Sequence, residues 1–134
     1  MPRANGRTTP AATCAQRALA DDDTPLAMAA CHDAIRKAIT AHMLGNGLRP
    51  RGGEGAHRIV LDYAAAQLGD IVSENDLEEA NEIRQDRALA EYGDFPSRRL
   101  DGNHVRAAAD VAERIVNAVA DALARQARAR RRAR

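Results

Sequence analysis

The segment EIRQDRALAEYGD, residues 82–94, gathers the side chains best suited to phosphate and acid–base chemistry: Arg84, Arg87, Glu91 and Tyr92. At about 100° per residue, Arg84, Arg87 and Glu91 fall within roughly 60° of one another on a helix, on the face of Ala80 and flanked by Leu77 and Ile83. Three charges therefore stand where a buried stripe should continue. An unpartnered buried guanidinium is costly, so this face either pairs internally, Arg87 with Glu91 at i, i+4, or opens onto a cleft or a second subunit. Glu91 could act there as a general base only with a raised pKa.

Histidine is the ordinary acid–base group near neutral pH. Several arginines precede a histidine at short spacing: Arg36 before His42, Arg51 before His57, and Arg98 or Arg99 before His104. With 19 arginines in the chain, about one or two such pairs arise by chance, so spacing alone selects none. The pair ending at His104 lies nearest the charged segment. His104 reads as a first-turn residue near Asp101, and His57 as a partly buried residue at a helix start. His32 and His42 read as surface or interface residues. The histidines form no metal-binding cluster, and Gly52, Gly53 and Gly55 lack the lysine and Ser/Thr of a phosphate-cradling loop. No cofactor is expected.

Helices must position these groups. Alanine supplies 30 of the 134 residues, against only Tyr63, Tyr92 and Phe95 for the aromatic set. Alanine has the highest helix propensity, and strands draw on residues that are thin here. The expectation is an all-α bundle of five helices. Residues 1–10 read as a disordered leader, 11–125 as the helical domain and 126–134 as a basic tail.

The first helix is expected over Ala11–Ala20. The second starts at Thr24 and Pro25 and runs to about Leu44, with Cys31, Ala34, Ile35, Ala38 and Ile39 as its buried stripe. Gly45, Asn46 and Gly47 stop it. After a glycine-rich loop, the third helix runs from about Ala56 to Leu68 with His57, Val60, Leu61, Ala64 and Leu68 on one face. The fourth follows the capping-box variant Ser73 with Asp76 and reaches about Tyr92. The fifth, about Asn103 to Arg125, buries Ala108, Val111, Ala112, Ile115, Val119, Ala122 and Leu123, and pairs Arg106, Asp110 and Arg114 on its exposed side.

The formal net charge is +1, so overall charge does not direct the search for a partner. Cys14 and Cys31 make no disulfide scaffold, and no run approaches the roughly 18 apolar residues of a membrane span. A reduced, cytoplasmic protein is expected. The closing RQARARRRAR carries six arginines and no acid. It reads either as a phosphate-binding tail or as a solvated helix end whose cations complement the helix dipole.

The stretches AMAACHDAIRKAITAHMLGNGLRP, GGEGAHRIVLDY, RQDRALAEY and HVRAAADVAERIVNAVADAL together resemble the HEPN family of helical domains over about residues 11–125. The resemblance implies a helical bundle that dimerises and that binds RNA or a nucleotidyltransferase partner in a toxin–antitoxin or defence module. Many members are metal-independent ribonucleases whose motif is an Arg, usually followed by a polar residue, and a His four to six residues further on. Arg87 matches the motif arginine, but Ala88 replaces the polar follower, and Glu91 and Tyr92 stand where the histidine belongs. The implied function is a non-catalytic or weakly catalytic domain that binds through Arg84, Arg87, Tyr92, Arg98 and Arg99. The alternatives are an active ribonuclease that recruits His104 or His57 to Arg87 through the fold or a dimer, and a structural dimerisation module.

Overall fold

The computed structural model describes residues 24–50, 52, 56–91 and 102–133. Four helices account for nearly all of them: α1 (Thr24–Gly45), α2 (Ala56–Gln67), α3 (Glu74–Glu91) and α4 (Gly102–Arg132). No strand occurs among the described residues. The all-α expectation holds, but four helices are shown rather than five, because the helix expected over Ala11–Ala20 lies outside the described residues.

The apolar spacing of each helix decides what it buries. In α1, Ala27, Met28, Cys31, Ala34, Ile35, Ile39 and Met43 are buried, and α4 contributes Val105, Ala108, Val111, Ala112, Ile115, Val116, Val119 and Ala122. These two stripes form the most extensive helix–helix contact, and α1 also packs on α2 and α3. Many of the facing residues are alanines, so little side-chain volume separates the backbones. The Cys31 thiol sits inside this core, and burial pushes its pKa up to about 11. At that value it is a protonated, unreactive core residue.

Gly47 ends α1. Its φ of 80° is a left-handed conformation that an L side chain rarely adopts. The Gly47 amide donates to the Leu44 carbonyl at 3.1 Å and the Leu48 amide to the Met43 carbonyl at 2.9 Å. This is a Schellman cap that satisfies carbonyls the helix would otherwise leave open. At the other end of the chain, α4 runs to Arg132, two turns past its expected end. Alanine and arginine favour helix at every step there, and the closing cations suit the negative end of the dipole. The Arg130 guanidinium also donates to the Gly45 carbonyl at 2.8 Å, which ties the end of α4 to the end of α1.

Helix α3 is scarcely amphipathic, because two of its inward residues, Asp76 and Asp86, are acidic and buried. A buried carboxylate needs a partner. Both partners come from α4: Arg114 for Asp76 and His104 for Asp86. The ten-residue offset on each helix shows that α3 and α4 run antiparallel. Arg114 grips Asp76 with a two-pronged fork, Nε to Oδ2 at 3.0 Å and a terminal nitrogen to Oδ1 at 2.9 Å. The expected exposed pairing of Arg114 within its own helix is thus corrected: its hydrogen bonds go across the bundle, where a buried carboxylate offers the stronger acceptor. Arg106 instead donates to Asn103 at 2.9 Å. The Ser73 hydroxyl caps α3 by accepting from the Asp76 amide at 3.1 Å.

The Arg114 hydrogen bonds, opposed by burial and aided by the guanidinium charge, hold the Asp76 carboxyl below its ordinary 3.8. A carboxyl lowered in the folded state stabilises fully above its unfolded pKa, and that contribution is lost as pH falls through the folded value. Arg114→Ala is therefore expected to cost about 1–2 kcal/mol at neutral pH, since it strands Asp76 while Arg114 itself is half exposed. The difference in melting temperature between wild type and variant should shrink below about pH 4. A pH-independent difference would show that Arg114 acts through packing alone.

Candidate functional site

The corner where the C-terminal end of α3 meets the first turn of α4 holds the most chemically able pair. His104 Nε2 lies 2.9 Å from Asp86 Oδ2. The Asp86 side chain is 7% exposed and that of His104 38%, so a buried carboxylate orients a ring that solvent still reaches. A carboxylate accepts, so Nε2 donates the hydrogen of this contact. This is how a second carboxylate positions a histidine for proton transfer. Arg87 is the next residue of α3 after Asp86. The first turn of α4 adds backbone N–H groups and the positive end of a long helix dipole, both of which favour an anion at this corner.

The expectation for His104 is thus half met. It does occupy the first turn of α4, but Asp86 of α3 contacts it, eighteen residues away in the chain. Asp101 lies outside the described residues. Arg87 and Glu91 belong to α3, and His57 to the first turn of α2. Their side chains, with Tyr92, Arg98 and Arg99 entirely, lie outside the described residues. Arg84 is partly exposed and donates to Asn81 Oδ1 through Nε at 3.2 Å and a terminal nitrogen at 3.0 Å. It stands at the rim of an open groove of about 790 Å³ between α2 and α3, with Arg58, Asp62 and Glu78 also on its walls.

The reading of His32 and His42 as surface or interface residues is corrected: both are buried within the bundle. The His42 ring meets the Tyr63 hydroxyl through Nδ1 at 2.8 Å, and the Asn46 amide donates to the His42 carbonyl at 2.8 Å. Burial lowers the pKa of His42 and raises that of Tyr63, which keeps both neutral in a structural link between α1 and α2. No helix is long and apolar enough to cross a membrane, and no group of three or more His, Cys, Asp or Glu residues is placed to hold a metal ion, among the described residues.

Asp86 is the residue that the sequence pattern misses. Its one signal is arithmetic: acids at 76 and 86 and a cation and a histidine at 114 and 104 repeat the same ten-residue interval on two helices. A family model described as HEPN domain matches residues 13–123. No curated protein and no solved structure matches the chain.

Proposed function

The chain belongs to the HEPN family, and on that premise we propose that it binds single-stranded RNA at the α3–α4 corner and cleaves it weakly, with His104 as the acid–base group. The observation carrying this reading is the 2.9 Å contact between His104 and the buried Asp86. In this reading His104, through its contact with Asp86 of α3, takes the role of the histidine that the sequence lacks at the motif position. In the reaction, His104 accepts the proton of a ribose 2′-hydroxyl, and the 2′-oxygen attacks the adjacent phosphorus. The phosphorus–5′-oxygen bond breaks, and the leaving 5′-oxygen takes a proton from solvent. The products are a 2′,3′-cyclic phosphate end and a 5′-hydroxyl end. Arg87 is assigned to the phosphate, whose developing charge a guanidinium stabilises.

The test is cleavage of an unstructured RNA by the wild type and His104→Asn, with the product ends identified. Loss of cleavage in the variant, with retained RNA binding, supports the reading. Equal cleavage by both proteins overturns it. RNA binding without any cleavage favours the non-catalytic reading, in which Arg84 and Arg87 serve an RNA or a nucleotidyltransferase partner of a toxin–antitoxin or defence module. That second reading has its own support in Glu91 and Tyr92, which replace the motif histidine.

The same proposal includes a homodimer. Leu26, Leu44, Leu48 and Ile59 are each about half exposed, and an alanine-rich bundle gains from covering such surface. Light scattering at micromolar concentration should give about twice the 14.4 kDa chain mass. A species of chain mass alone at that concentration refutes the dimer.

A further inference from the structure

The end of α4 carries an ordered line of charge that the corner site does not use. Arg125, Arg128 and Arg132 are exposed and, at about 100° per residue, fall within roughly 60° of one another. Asp121 lies on the same edge one turn earlier and is the last acid in the chain. Beyond it the edge is purely basic. None of the three arginines has an acidic partner among the described residues. Arg130 points the other way and donates to the Gly45 carbonyl at 2.8 Å, while Leu123 packs close enough to Gly45 that an added Cβ would meet it at 2.9 Å. The strip is therefore carried on a helix clamped to α1 rather than on a loose tail.

Its position relative to the corner is set by α4 itself. From His104 to Arg132 the helix extends about 42 Å at ~1.5 Å per residue. We propose that Arg125, Arg128 and Arg132 form a phosphate-binding strip for single-stranded RNA, engaging the strand at the far end of α4 from His104. The inference rests on the RNA-cleaving reading above, from which it takes the strandedness: in-line attack by a 2′-hydroxyl needs a backbone free to rotate, as an unpaired strand is. Exposed arginines contact backbone phosphates rather than base edges, so they read backbone charge and not base identity. The strip thus predicts sequence-tolerant affinity that grows once a strand is long enough to reach from the corner to the end of α4.

The experiment measures binding of labelled polyadenylate strands to the full chain across a salt series, using one strand shorter and one longer than the 42 Å separation. The variant R125Q/R128Q/R132Q keeps good helix formers on an exposed surface, and circular dichroism checks its fold. R125K/R128K/R132K keeps the charge. For the long strand, the glutamine variant should lower the slope of log K against log salt by about 2, since each single-strand phosphate contact contributes about 0.7. The lysine variant should retain the slope, and the short strand should not distinguish the proteins. Tight wild-type binding with the same slope in the glutamine variant overturns the strip and leaves the corner site standing. The expected slope change without any cleavage by wild type supports the strip and overturns the catalytic reading. Failure of the wild type to bind RNA overturns both, and charge-dependent binding to vesicles of anionic lipid in that case assigns the strip to a membrane surface.

Discussion

His104→Asn is expected to lower RNA cleavage by about 10²–10⁴-fold, the range typical for losing a general acid–base group, with affinity for the same RNA changed only a few-fold. Asparagine is the informative substitution because its side-chain amide can still donate to Asp86, so the buried carboxylate keeps a partner. Its amide has no basic nitrogen, so the proton-transfer role is removed selectively. His104→Ala differs in kind: it leaves Asp86 buried without its imidazole contact and should lower the melting temperature as well as the rate. Asp86→Asn supplies a third reading. An amide in place of the carboxylate can present its nitrogen to Nε2, which then favours the tautomer with hydrogen on Nδ1 and removes the basic nitrogen from the substrate side. A merely structural pair predicts that all three variants lose stability in proportion to activity. A positioned acid–base group predicts a near-normal melt for His104→Asn beside a collapsed rate.

The legible parts of the molecule are those that local periodicity controls. Cys31, Ala34, Ile35 and Ile39 recur at helical spacing, and α1 buries all four. Val60, Ala64 and Leu68 do the same on and just beyond α2. The stop at Gly47 was readable because a left-handed C-cap has a residue-type signature. The site was less legible because its decisive contact joins two helices. Asp86 sits in a run of charges on α3 and looks like a solvated acid until the antiparallel packing places His104 against it. His42 shows the same limit: its ring partner is Tyr63, twenty-one residues onward, and an α1 pattern alone does not reveal that partner. The charged face at Arg84, Arg87 and Glu91 lies on the same helix as Asp86. The histidine that meets Asp86 belongs to the next helix, and a pattern read along α3 alone does not contain it.

Ile115→Ala is expected to destabilise the fold by about 2–5 kcal/mol, the cost of deleting a large aliphatic side chain from a packed core. Ile115 is fully buried in the middle of α4, one residue after the arginine that grips Asp76. Among the described residues, eight of the 22 buried apolar residues are alanines, so much of the transfer free energy of the core falls on its larger side chains, Met28, Ile39, Leu68 and Ile115 among them. Alanine neighbours have no side-chain length with which to fill a void, and closing it would require the backbones of α1 and α4 to move while Asp76 and Asp86 hold α4 in register. The cavity should therefore persist, which places the cost toward the upper part of the range. Against a typical domain stability of about 5–15 kcal/mol, that loss should shift urea unfolding strongly. Glu113→Ala, at an exposed position of the same helix, should move the same transition by about 0.5 kcal/mol or less. A small effect at Ile115 would mean that α1 and α4 do collapse onto the void, and that the two polar links from α3 are looser than their geometry implies.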